Sequence, residues 1–147
     1  MSIAPAHRGG NSGGYIEAEH KFAAADEPGL AVFGRFGFAN SDINQFNSYA
    51  GFGGSYQGLL AARPDDLLGL ALAKVRNGNP FRRAQALAGA PVGKSETNIE
   101  LTYRAEVTPW LTIQPDAQYV INPGADPALK NAFVVGLRFE IGFGQDF

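Results

Sequence analysis

Four features of this 147-residue chain carry side chains of the types that do chemistry. Ala88–Ser95, A-G-A-P-V-G-K-S, fits a relaxed phosphate-loop pattern with Ala88 where glycine normally stands. That chemistry needs a strand before the loop and a helix after it, so that helix N-terminal amides cradle the phosphate. The segment after Ser95 reads as a strand, so the cradle is absent. Gly51–Tyr56, G-F-G-G-S-Y, fails the dinucleotide pattern because Tyr56 sits where the last glycine belongs. Its glycines are expected to relieve crowding in a bent strand. Asp65 and Asp66 adjoin as a metal pair would, but after Arg63–Pro64 they read as turn formers. His7 and His20, in the tail and the first strand, make a poor metal site, and a Ser–His–Asp arrangement could use one of them. With no cysteine there is no thiolate ligand, thiol nucleophile or disulfide. No catalysis, no metal and no cofactor are expected.

What remains is a different kind of chemistry, made of polar residues at every second position. Glu96, Asn98, Glu100, Thr102, Arg104 and Glu106 alternate with Thr97, Ile99, Leu101, Tyr103, Ala105 and Val107. Thr112, Gln114, Asp116, Gln118 and Asn122 alternate with Leu111, Ile113, Pro115, Ala117, Tyr119 and Ile121. Phe133, Val135, Leu137, Phe139, Ile141 and Phe143 then share one face, with Arg138 and Glu140 on the other. Such alternation is the signature of a two-faced strand. Softer versions lie at Tyr15–Phe22, Gly29–Ala39, Ser48–Leu60 and Leu67–Arg76, for seven strands in all. A single helical turn is expected around Gln85–Ala90, ended by Gly89 and Pro91.

Several of these strands exceed the ~5–6 residues usual in soluble sheets and match the ~9–11 that cross a bilayer at a tilt. Ala23–Pro28, Ala61–Asp66 and Thr108–Trp110 read as short turns, whereas Asn40–Asn47, Asn77–Ser95 and Asn122–Asn131 read as longer polar loops. Short turns on one side and long loops on the other is the habit of outer-membrane barrels. Tyr15, Tyr103, Trp110, Tyr119 and Phe143 fit interfacial aromatic girdles. Composition agrees: hydrophobic residues are 45% and charged residues 18%, against ~25% in soluble domains. The 19 glycines also stand out. A net charge of −2 argues against a nucleic-acid partner. The first residues lack the apolar core of a secretory signal, and the longest apolar run, Leu67–Ala73, is too short for a membrane helix. A soluble barrel or sandwich with its apolar face inward gives the same alternation.

The runs Gly29–Asn44, Tyr56–Arg76 and Thr102–Phe143 resemble the carbohydrate-selective porins of Gram-negative outer membranes. The most specific pieces are R-P-D-D at Arg63–Asp66, T-P-W-L-T-I-Q-P-D-x-Q-Y at Thr108–Tyr119, and N-P-G-x-D-P at Asn122–Pro127. The resemblance implies an outer-membrane location, a sixteen-stranded antiparallel barrel and passive diffusion of sugars, with this chain matching its C-terminal half. The amino-terminal signal and about nine strands of that pattern are missing. The expected architecture is therefore all-β: an up-and-down transmembrane meander of about seven long strands forming an incomplete barrel. Residues 1–13 are expected to be a flexible tail or the remnant of an upstream strand or loop, and 14–147 the C-terminal part of the barrel domain. Gly144–Phe147 extend past the expected end of the family's terminal strand, although Phe147 keeps the strand parity of Phe143.

For a porin the chemistry is selection by the lumen. Turning the polar face inward makes Arg35, Glu100, Arg104, Glu106, Gln114, Asp116, Gln118, Arg138 and Glu140 pore-lining candidates, with Phe33 a platform for a sugar ring. Mixed charges and amides suit neutral mono- or small oligosaccharides, whose hydroxyls both donate and accept. The same residues could instead form ion-pair ladders that stiffen a wall. Expected partners are carbohydrate solutes, outer-membrane lipid and the missing N-terminal barrel half. A small self-contained barrel of structural or adhesin type, and a soluble β-barrel binding module, remain alternatives. Heat-modifiable mobility separates the membrane readings from the soluble one, and single-channel conductance separates a pore from a plugged barrel.

Overall fold

Residues 9–23 and 27–142 are described by the computed structural model, and within them the period-two segments become strands. In chain order these are β1 (Gly13–Lys21), β2 (Leu30–Ala39), β3 (Phe46–Gln57), β4 (Leu67–Asn77), β5 (Ser95–Thr108), β6 (Leu111–Ile121) and β7 (Ala132–Ile141). One helix, α1 (Asn79–Leu87), joins β4 to β5, and a 3-10 turn, Pro123–Ala125, comes after β6. Each strand pairs antiparallel with its sequence neighbours, in the order β1-β2-β3-β4-β5-β6-β7. The sheet is open: among the described residues β1 and β7 do not pair with each other, so each leaves an edge.

Two boundaries differ from expectation for local reasons. β3 begins at Phe46 and stops at Gln57, short of Leu60. At Gly58 the backbone takes φ +75°, and its N–H donates to the Asp66 carbonyl at 2.9 Å, which ends the strand in a closed turn. The helix begins at Asn79 rather than near Gln85, with Pro80 in its first turn, where the missing N–H leaves no helical bond unmade. Its end is where Gly89 put it: the Ala88 N–H returns to Ala84 O at 3.0 Å and Gly89 turns left-handed. A-G-A-P-V-G-K-S thus leads out of α1 and into β5, the reverse of the order a phosphate loop needs.

The connections 22–29, 58–66 and 109–110 lie at one end of the sheet, here the turn end. At the other, the loop end, lie 40–45, 78–94 and 122–131. The asymmetry is softer than expected, since 40–45 is shorter than 58–66; the contrast is carried by the other two loops. Before β1, Asn11 and Asn44 exchange side-chain amide bonds at 3.3 and 2.7 Å, and the Asn40 N–H donates to Ser12 O at 2.8 Å. Residues 1–8 lie outside the described residues, as does the C-terminal segment with Phe143 and Phe147.

Cross-strand partners stand side by side on one face, so the registers sort the strand residues into two sets. One face carries Ile16, Phe36, Phe52, Leu70, Leu72, Ile99 and Leu101, continued by Ile113, Val135, Leu137 and Phe139. Nothing among the described residues covers it. Phe133 is 69% exposed, Leu70 58% and Phe139 57%, and Ala125, in a loop, is the one described apolar residue that is buried. A soluble chain does not leave so wide an apolar surface open to water. A sheet with lipid on that face requires it.

Candidate functional site

The opposite face gathers the strand side chains that alternation marked as polar; Asn122, the last of that series, lies beyond β6 in the turn before Pro123. Arg35 lies opposite Gly51, Gly51 opposite Ala73, and Ala73 opposite Asn98. In the next row Phe33, Gly53, Ala71, Glu100 and Gln118 succeed one another across five strands. Arg104, Glu106, Gln114, Asp116, Arg138 and Glu140 fall on the same face by register. The parity that sequence assigned to these residues is therefore their parity in the sheet.

They do not form a single cluster. On β1 and β2, Arg35 Nη2 pairs with Glu17 Oε1 at 3.0 Å, and the guanidinium carbon lies 5.1 Å from the Phe33 ring centroid. On β5 to β7, Arg104 pairs with Glu106 at 2.9 Å and reaches Glu140 at 3.7 Å. Beside it Gln114 Nε2 donates to Thr102 Oγ1 at 2.9 Å, and Asn98 Nδ2 to Gln118 Oε1 at 3.2 Å. Gln118 in turn donates to Asp116 at 3.3 Å. This second group is joined by ion pairs and amide hydrogen bonds across β5, β6 and β7. Glu100 and Arg138 stand apart within it, making no ion pair or side-chain hydrogen bond among the described residues.

Between the two groups lies a bare stretch. Gly51, Gly53, Ser55, Gly69, Ala71 and Ala73 are the middle residues of this face on β3 and β4, with Tyr49 and Val75 toward the loop end and Gln57 and Leu67 toward the turn end. Phe33 and Glu100 are three strand spacings apart, roughly 14 Å, with only Gly53 and Ala71 between them. The glycines are there for close approach: a Cβ on Gly53 would sit 2.9 Å from the Phe33 ring and 2.6 Å from Leu70 O, and one on Gly51 would strike the Tyr49 hydroxyl. Both aromatic rings therefore lie against the wall, which is a more specific reason for G-F-G-G than relief of a bend.

The R-P-D-D motif also does more than turn the chain. Asp66 is 3% exposed. Its carboxylate accepts from Arg63 Nε, from Arg63 Nη2 at 3.0 Å, from the Tyr103 hydroxyl at 2.5 Å and from the Glu106 N–H at 3.2 Å. Hydrogen bonding from Arg63 holds its pKa below the ordinary carboxylate range, aided by Tyr103 and Glu106 and opposed by burial. The same contact raises the Arg63 guanidinium. Arg63 also donates to Glu106 O at 3.2 Å, so both backbone polar groups of Glu106 are gripped where β5 breaks register against β6. Sequence reasoning missed this anchor because two of its three partner residues, Tyr103 and Glu106, are about forty residues away in the chain. The turn-former reading of Asp65 stands unaltered.

On the apolar face, Tyr103 and Tyr56 stand near the turn end and Tyr119 and Phe133 near the loop end, with Trp110 52% exposed in the β5–β6 turn. Tyr15 departs from the girdle expected of it. It lies opposite Gly37, with the parity of Glu17, and so belongs to the polar face. The profile of the carbohydrate-selective porin, OprB family, matches residues 2–143. The chain belongs to that family. Porin B of Pseudomonas aeruginosa is 28% identical to it over 152 residues, which cover 92% of this chain and 34% of that protein. A high-pH structure of Pseudomonas putida OprB superimposes with a TM-score of 0.80 at 28% identity, covering 88% of this chain and 34% of that one. A low-pH structure of the same protein gives a TM-score of 0.64 at 26% identity, covering 90% and 37%. The chain thus spans about a third of the relatives it matches. Like other OprB porins it is a Gram-negative outer-membrane protein, and its open seven-stranded sheet has the fold of part of that barrel.

Proposed function

We propose that this chain forms one wall of a pore for passive diffusion of mono- or small oligosaccharides, closed by further strands that pair with β1 and β7. The observation that carries the reading is the separation of faces. Charged and amide side chains share one face with the Phe33 and Tyr49 rings, and a mostly aliphatic and aromatic surface, with Lys74 and Arg76 at its loop end, forms the other. With the polar face toward the lumen, Glu100 and Arg138 are free to exchange hydrogen bonds with sugar hydroxyls. Arg104 and Arg35 act through guanidinium hydrogens their carboxylate partners leave unused. Phe33, packed against Gly53 beside the Arg35 guanidinium, supplies the aromatic contact for a pyranose. In this reading the face selects solutes by hydrogen bonding and charge as they pass. The wide open apolar face disfavours a soluble binding module.

The test is a chimera in which this chain replaces the matching third of Porin B, assayed by liposome swelling with glucose and by conductance in potassium chloride. Loss of one charge-assisted contact, about 1.5 kcal/mol or more, predicts that Arg138→Glu or Arg104→Glu slows glucose entry roughly tenfold. Bulk conductance should change much less. Unaltered glucose entry in Arg35→Glu, Arg104→Glu and Arg138→Glu alike would sink the proposal.

A further inference from the structure

Five of the chain's twelve cations, Lys74, Arg76, Arg82, Arg83 and Lys94, lie within residues 67–95, a stretch without a single Asp or Glu. Two of them occupy an unusual place. Lys74 lies opposite Ala50 and Thr97, and Arg76 opposite Ser48 and Ser95, so both stand on the apolar face, in line with Leu68, Leu70 and Leu72. Both are exposed, and neither makes an ion pair among the described residues. Glu96, opposite Val75 on the adjacent strand, has the opposite parity and accepts from the Gly124 N–H. A cation facing hydrocarbon is costly, but β4 carries these two at its loop end, where the acyl region gives way to headgroups. They are flanked by the hydroxyls of Ser95 and Thr97, and exposed Lys94 extends the positive charge into the loop.

We infer that Lys74 and Arg76, with Ser95, Thr97 and Lys94, form an outward-facing site for the phosphate groups of the phosphorylated glycolipid of the outer leaflet. The inference rests on the proposed assignment of the apolar face to lipid, and on the longer loops being extracellular. Paired cations beside hydroxyl donors match the charge and acceptor-only chemistry of a phosphomonoester. The site lies on the outside of the wall and is separate from the polar face described above.

The full chain is refolded with phosphatidylcholine vesicles carrying a minor fraction of diphosphoryl lipid A, or the same glycolipid stripped of its phosphates, and binding is read by flotation. Wild type is expected to bind the phosphorylated vesicles about tenfold or more tightly, as two cations at an anionic surface imply. Lys74→Gln/Arg76→Gln should lose that difference, while Lys21→Gln/Lys130→Gln, which removes equal charge elsewhere, keeps it. Free inorganic phosphate should not displace the chain from the vesicles. A wild type indifferent to the phosphates, a double variant that keeps the full difference, or displacement by free phosphate would overturn the inference. The face assignment is read separately, by brominated-lipid quenching of a fluorophore on Leu70→Cys or Thr102→Cys in this otherwise cysteine-free chain. Quenching at Leu70 with the double variant unaffected refutes the phosphate site alone; quenching at Thr102 instead refutes both readings.

Discussion

The two ends of this sheet are fastened by different chemistry. At the turn end one buried carboxylate, Asp66, collects two guanidinium hydrogens, a phenol and a backbone amide, and so joins the β3–β4 turn to β5. At the loop end the work is divided, mostly among neutral amides, with the Glu96 carboxylate accepting from the Gly124 N–H. Gln45 Nε2 donates to Asn77 Oδ1 at 3.4 Å, Asn77 Nδ2 to Gly93 O at 3.1 Å, and the Gly93 N–H to Ala125 O at 2.5 Å, so three loops hang on one another in series. The difference teaches where rigidity is needed. The turn-end anchor grips Glu106, whose side chain pairs with Arg104 on the polar face, and so it positions part of the proposed solute surface. The loop-end chain touches no member of that surface; it keeps the loops together.

The sharpest way to break this contrast is Asp66→Ala. It leaves the Tyr103 hydroxyl, the Glu106 N–H and Arg63 without their acceptor, and unmet polar groups of this kind cost about 2–3 kcal/mol together. A urea titration of the refolded chain in detergent should show that loss. A change under about 0.5 kcal/mol would mean that the anchor is incidental.

The pH dependence sharpens the same point. Arg63 and its fellow donors lower the folded-state pKa of Asp66, so its contribution is complete above the ordinary carboxylate range near 4. It declines as pH falls below that value toward the folded-state pKa. Stability measured downward from neutrality should therefore fall more steeply in wild type than in Asp66→Asn, which has no carboxylate to protonate at this site. Parallel acid profiles would show that the charge itself contributes nothing.

How much of the fold and of the polar face is legible in the sequence depends on the range of each interaction. A period of two is written into neighbours, so strand faces can be read directly, and Arg35, Glu100 and Arg138 fall on the same side as alternation places them. Tyr15 departs from its expected girdle because strand-end position is a weaker guide than parity: it stands two residues before Glu17, and parity alone places it on the polar face. The start of α1 is marked locally by Pro80, a signal the expectation of a single turn near Gln85 overlooks. The Asp66 anchor is not available to any local pattern, since Tyr103 and Glu106 reach it only through the β4–β5 register. The bare stretch on β3 and β4 is visible as glycine content, but its meaning requires knowing that Phe33 and Tyr49 lie over Gly53 and Gly51.

Asn77→Ala is the corresponding cut at the loop end, and its effect is smaller and of another kind. The side chain is 6% exposed, so its loss strands the Gly93 carbonyl and the Gln45 amide, at about 1 kcal/mol or a little more. The Asn77 backbone N–H still donates to Lys94 O at 2.9 Å, so the end of β4 stays paired. The loss is thus confined to residues that open without the sheet opening. Hydrogen exchange in 78–94 should accelerate roughly fivefold, and β3, β4 and β5 should keep wild-type protection. If exchange instead rises throughout those strands, the two ends are held by one cooperative network, and the contrast between a single charged anchor and a series of amides does not describe how this wall is fastened.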